Sequence, residues 1–146
     1  MPISHKSSST SLQPHYWPIA QLPGLSADNE SLLQEYGIAT TGQLLKKAAS
    51  SDRKLLLSNQ LQVHIQYVNK WVALADMARI PSVGCEYCGL LLHAGVSSTK
   101  QLAEISVQRL HQQILRFYVG NMQRRDLCPG VELVQLWIQQ AKMLII

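Results

Sequence analysis

A chain of 146 residues, 47% of them hydrophobic, can bury a sizeable core as one domain or as two tightly packed halves. Aromatic residues supply only 6%, with Phe117 the sole phenylalanine, so Leu, Ile, Val and Ala must do most of the packing, which suits helices better than sheets. The formal charge of +4 and the pI near 9.1 permit a nucleic-acid partner without requiring one, and no apolar run reaches the roughly 20 residues of a spanning helix, which argues against membrane insertion.

Residues 1–14 form a polar leader rich in Ser, with Lys6 its one fully charged side chain, and are expected to be disordered. The leader has no apolar stretch of the signal-peptide kind, so a cytoplasmic location is expected. His15-Tyr16-Trp17-Pro18-Ile19 then places two aromatics ahead of the first helical unit, where Trp17 and Ile19 are expected to cap the end of the core.

Ser26 can cap a helix from about Ala27 to Tyr36, with Asp28 and Glu30 in its first turn, and Gly37 is placed to end it. Thr40 or Thr41 can cap a second helix carrying Leu44, Leu45 and Ala48 inward, and Ser50 or Ser51 a third. The spacing of Ile65, Val68, Trp71, Val72 and Ala75 predicts a fourth and longest helix over roughly Gln62 to Ala78. After Ile80 the plan recurs. A helix follows Gly84 and stops at Gly95, Ser98 or Thr99 caps the next, Ser106 opens one bearing Leu110 and Ile114, and a last runs from about Pro129 to Leu144. The apolar tail Met143-Leu144-Ile145-Ile146 is expected to dock on its own core.

The two halves repeat each other. Pro23 falls on Pro81, Gly37 on Gly95, Thr41 on Thr99 and Gln43 on Gln101, and after a longer connection in the second half Trp71 and Met77 fall on Trp137 and Met143. Each copy is therefore a control for the other. The expected fold is all-α, with two tandem units at 15–79 and 80–146 forming one helical domain.

Leu22-Pro23-Gly24-Leu25-Ser26 and Ile80-Pro81-Ser82-Val83-Gly84 resemble the hairpin of helix-hairpin-helix domains, in which apolar, Pro, Gly, apolar, Gly opens a helix. The pattern from Leu22 onward is similar to a bacterial family of helix-hairpin-helix-like proteins described as a domain of unknown function. In DNA-binding members of the wider class, the resemblance implies phosphate contact by backbone N–H groups of the glycine-bounded hairpin. Here each copy keeps one glycine and has Ser at the other position, Ser26 in the first and Ser82 in the second. The nucleic-acid candidates are thus Gly24, Ser26, Ser82 and Gly84, with Lys46 and Lys47 near the second hairpin-like piece of the first half, Gly37-Ile38-Ala39-Thr40-Thr41, and Lys100 in the second half; Arg53, Lys54, Arg109, Arg116, Arg124 and Arg125 are further basic positions. The bland reading makes both hairpins helix connectors and the cations solvated helix faces.

Cys85 and Cys88 have the two-residue gap of zinc and redox motifs, and Cys128 lies in the longer connection of the same half. His93 or His111 would complete a four-ligand set for zinc, but the preferred reading is that Cys88 packs as a small hydrophobe. Cys85, near a helix start, is expected to have a lowered pKa and to be the most reactive thiol. Only nine carboxylates are present and none is paired at a catalytic spacing, so the chain reads as non-catalytic. The expected function is a helical binding or adaptor protein that holds a protein partner or a second copy of itself. The alternative is a nonspecific DNA-binding accessory protein using the hairpins.

Overall fold

In the computed structural model, which describes residues 12–122 and 125–144, short polar side chains open most helices by accepting a hydrogen bond from a backbone N–H three residues on. Ser26 starts α1 (Ala27–Glu35), Thr40 starts α2 (Thr41–Lys47) and Ser50 starts α3 (Ser51–Leu61) in this way. The long α4 (Ile65–Ala78) starts at His64, whose Nδ1 accepts from Gln66 N at 3.0 Å. Beyond the hairpin at Ile80 to Val83 come α5 (Gly84–His93), α6 (Thr99–Glu104) capped by Ser98, and α7 (Val107–Phe117) capped by Ser106. A π turn (Tyr118–Met122) and a 3-10 turn (Arg125–Leu127) lead to α8 (Val131–Leu144). No strand is formed among the described residues. Residues 1–11 of the leader, Arg124 and the terminal Ile145 and Ile146 lie outside the described residues.

Two boundaries differ from expectation. Gln62 takes a left-handed conformation, φ +56, that closes α3, so α4 begins at Ile65 rather than at Gln62. Pro129 is buried ahead of α8 and does not occupy its first position, which Val131 takes.

Corresponding positions of the halves share local geometry. Gly37 and Gly95 both have positive φ, +81 and +97, and end α1 and α5. Gln43 Oε1 accepts from Thr40 N at 3.2 Å and from Ala39 N at 2.6 Å, completing a capping box, and Gln101 Oε1 accepts from Ser97 N at 2.9 Å. Thr41 and Thr99, both buried, tie the second helix of each half to the chain that precedes its hairpin. Thr41 N donates to Trp17 O at 2.8 Å and Trp17 N to Thr41 Oγ1 at 2.9 Å. Thr99 N donates to Asp76 Oδ2 at 2.7 Å and Thr99 Oγ1 to Asp76 O at 2.9 Å.

The longest helices supply the core. Val68, Trp71 and Ala75 of α4 are buried, as are Val134, Trp137 and Ala141 of α8. Helix α4 packs on α2 and α3, and α8 on α6 and α7; α4 also packs on α5, which joins the halves through one continuous apolar cluster. No helix among the described residues is long and apolar enough to cross a membrane.

The segment Leu12 to Ile19 folds back over this junction. His15 N donates to Arg79 O at 2.9 Å and Trp17 Nε1 to Ala78 O at 2.8 Å. The Trp17 ring lies where a Cβ on Gly84 would stand 2.9 Å from Cζ2, and Gly84 has φ +55. Two separate constraints therefore select glycine there. Gly95 has only the second, since its missing Cβ would meet open space. Gly84→Ala is expected to destabilise the protein by about 1–3 kcal/mol more than Gly95→Ala. Urea unfolding measures both, and the difference should shrink when Trp17 is also replaced by Ala.

Candidate interaction surface

The two hairpins, equivalent in sequence, differ in what covers them. In the first, Gly24 is exposed with φ +78, and Ser26 is occupied as the cap of α1, accepting from Asn29 N at 3.1 Å. Lys70 of α4 reaches over Gly24, its Nζ 3.5 Å from where a Cβ would stand. In the second, Gln140 of α8 accepts from Ser82 N at 3.0 Å and from Ser82 Oγ at 2.7 Å, while Trp137 Nε1 donates to Ser82 O at 3.1 Å. Val83 N and Gly84 N both donate to Ile80 O at 2.9 Å. All three N–H groups from Ser82 to Gly84 thus have partners inside the protein, and Gly84 is buried.

The change traces to a few exchanges. Gly24 corresponds to Ser82, Leu74 to Gln140 and Lys70 to Leu136, so the second half has gained a side-chain lock on its hairpin and lost the cation beside it. The sequence reading missed Lys70, although its pairing with Leu136 across the halves was a visible signal.

Lys46, Lys47 and Lys100 lie on the helices that follow the second hairpin-like piece of each half. Lys46 and Lys47 end α2, where Lys47 Nζ donates to Tyr36 O at 2.7 Å, and Lys100 is exposed in the first turn of α6. Arg53, on the next helix, donates from Nη1 to Lys46 O at 3.3 Å. Lys46, Lys47, Arg53 and Lys54 thus crowd the turn between α2 and α3, and none forms a salt bridge among the described residues.

This turn borders two clefts. One, of about 560 Å³, is lined by Tyr16, Gly42, Leu45, Lys46 and Ala49 among others. The other, also about 560 Å³, runs from Leu45, Ala49 and Lys54 across Val72 and Ala73 to Asp76 and Ser98. They share Leu45 and Ala49, so they adjoin along α2 and form a groove whose far end is the start of α6. Tyr16 forms part of its wall because Gly42 leaves room: a Cβ there would lie 3.1 Å from the tyrosine ring. Asp76 is the groove's carboxylate, and both oxygens are engaged, Oδ1 by Arg79 Nη2 at 2.7 Å and Oδ2 by Thr99 N.

A family model described as Domain of unknown function (DUF4332) matches residues 23–144. The chain belongs to the DUF4332 family. Comparisons with curated proteins and with solved structures return no match. The DUF4332 match runs from residue 23 to residue 144, so it leaves out Tyr16 of the groove wall and Trp17, which lies against Gly84.

The cysteines of this DUF4332 chain are not gathered into a metal centre. Among the described residues no three Cys, His, Asp or Glu side chains stand together as a metal site. Cys88 is buried in the core, its Sγ directed to Cys85 O at 3.9 Å. Cys128 Sγ lies 3.5 Å from Pro129 O, His93 stacks on Phe117 with centroids 5.1 Å apart, and His111 is half-buried on α7. The expected lowering of the Cys85 pKa is reversed. Burial pushes that thiol from 9.0 up to about 11, which outweighs its place in the first turn of α5. Burial, with the neighbouring Cys85 adding to it, pushes Cys88 to about 12.

Both thiols therefore stay protonated in the folded protein after those of an unfolded chain have ionised, so stability should fall as pH rises from about 9 toward 11. Alkylation of Cys85 and Cys88 at pH 8 is expected to be at least about tenfold slower in the native protein than in urea. Peptide mapping of timed iodoacetamide reactions checks this. Rapid native labelling of Cys85 would show that its environment has been misread.

Proposed function

We propose that the chain is a non-catalytic helical adaptor, built from two helix-hairpin-helix-like units, that holds a protein partner in the groove along α2. The observation that carries this reading is the groove itself: two adjoining clefts of about 560 Å³ each, with Leu45, Ala49, Val72 and Ala73 presenting apolar surface beside exposed Lys46 and half-buried Lys54. Apolar surface left open beside charged groups is the usual mark of an interaction site. The matched caps, glycine stops and buried threonines of the two halves support the unit assignment. The groove residues offer binding surface rather than a nucleophile with its base, which favours an adaptor over an enzyme. A cytoplasmic location belongs to the same proposal.

A second reading keeps one specific support. Lys70 stands over exposed Gly24, so the first hairpin can meet a phosphate even though the second is closed. One open hairpin gives few phosphate contacts, and affinity for DNA grows with their number.

Two experiments separate these readings. A photo-crosslinking residue in place of exposed Asn69, which lines the second cleft, is expected to capture a discrete protein in cells. Ala49→Trp, at an exposed position, should abolish the adduct while leaving the unfolding midpoint unchanged. An adduct that persists in Ala49→Trp, or no discrete adduct, would remove the groove as a protein site. Labelled duplex DNA is expected not to bind even at low salt. Low-salt binding that Lys70→Glu abolishes would establish the hairpin reading instead.

A further inference from the structure

Resting on the groove as the interaction site, we infer that its partner is an acidic amphipathic segment of another protein, with an apolar face against α2 and carboxylates toward Lys46 and Lys54. Lys46 lines the first cleft and Lys54 the second, so a cation stands on each side of the shared Leu45 and Ala49. Neither lysine is in a salt bridge among the described residues. Asp76, the carboxylate of the groove, is bound by Arg79 on one oxygen and by the Thr99 N–H on the other, leaving little negative charge to oppose an incoming anion. Lys47 and Arg53 add positive charge at the same turn, directed to the carbonyls of Tyr36 and Lys46 rather than to carboxylates. Of the carboxylates of this half, Asp28, Glu30 and Glu35 are on α1, and exposed Asp52, in the first turn of α3, is the single one at this turn against the four cations Lys46, Lys47, Arg53 and Lys54.

Positive charge by itself would also suit nucleic acid. The floor decides between them. Half-buried Leu45, Val72 and Ala73, with exposed Ala49, offer apolar surface that a phosphate backbone does not complement, whereas an amphipathic peptide buries that surface and meets the rim charges together. Complementary charge at the rim steers encounter and selects the partner, while the apolar floor holds it.

The test uses the full chain and a fluorescein-labelled synthetic peptide with leucines at helical i, i+3, i+4 and i+7 positions and glutamates on the remaining face. A second peptide carries lysine at every glutamate position, and a labelled DNA duplex is the third probe. The glutamate peptide is expected to saturate in an anisotropy titration and to shift the amide resonances of Leu45, Ala49, Ala73 and Ser98. Added salt should weaken it, and the double variant Lys46→Glu, Lys54→Glu should weaken it about tenfold with an unchanged unfolding midpoint. Equal binding of both peptides in the groove would overturn the acidic preference and leave the adaptor reading standing. Failure of the glutamate peptide to shift those amides would overturn the inference, even if the photo-crosslinked partner is still found. Shifts of the same amides by the DNA duplex would assign the groove to nucleic acid, and a concentration-dependent dimer that Ala49→Trp dissolves would assign it to a second copy.

Discussion

Helices as short as the six residues of α6 or the seven of α2 have almost no stability in isolation, because nucleating a helix costs more than so few hydrogen bonds return. They persist by packing on something longer. For α2 that support is α4, which carries Val68, Trp71, Leu74 and Ala75 into the core and packs on α2, α3 and α5 at once, and for α6 it is α8. The two halves are therefore not independent bodies joined by a linker. The stripe that stabilises the first also presents a surface to the second, so removing volume at Trp71 would be felt on both sides of Ile80.

A shared frame has allowed the hairpins to diverge. Ser82 with Gln140 and Trp137 makes a closed unit in which each polar group has a partner, and Trp17 lies across Gly84 from the other side. The first hairpin has Gly24 and Leu74 at the matching places, which can form no such lock, and Lys70 reaches over Gly24. A closed hairpin is a structural joint. The open one leaves a glycine of positive φ exposed.

The sequence made local structure legible because local rules act over three or four residues. Ser26, Thr40, Ser50, Ser98 and Ser106 cap helices where a short side chain can reach a nearby N–H, and Gly37 and Gly95 stop helices where positive φ is needed. The same reading failed where distance in sequence entered. Cys85 sits at a helix start, which alone lowers a thiol pKa, but the core around it comes from other elements and prevails. Lys46 and Lys47 are next to each other in the chain, yet one lines the groove while the other turns to Tyr36 O. The groove itself collects Tyr16, Leu45, Lys54, Ala73 and Ser98, residues that no pattern of period two or 3.6 brings together.

The hydrogen bonds of Asp76 connect this architecture to the site. Its carboxylate holds Arg79 and the Thr99 N–H, which fixes the end of α4 against the start of α6 and so fixes the first half against the second. The same atoms form one end of the groove, between Val72 and Ala73 on α4 and Ser97 and Ser98 ahead of α6. The far wall of the groove therefore exists only when the halves are docked. Docking builds the wall and adds the Thr99 N–H to a carboxylate that Arg79, three residues along the same segment, already pairs. Fold and site are thus specified by one set of contacts, and a change at Asp76 would alter the shape of the groove and its charge together.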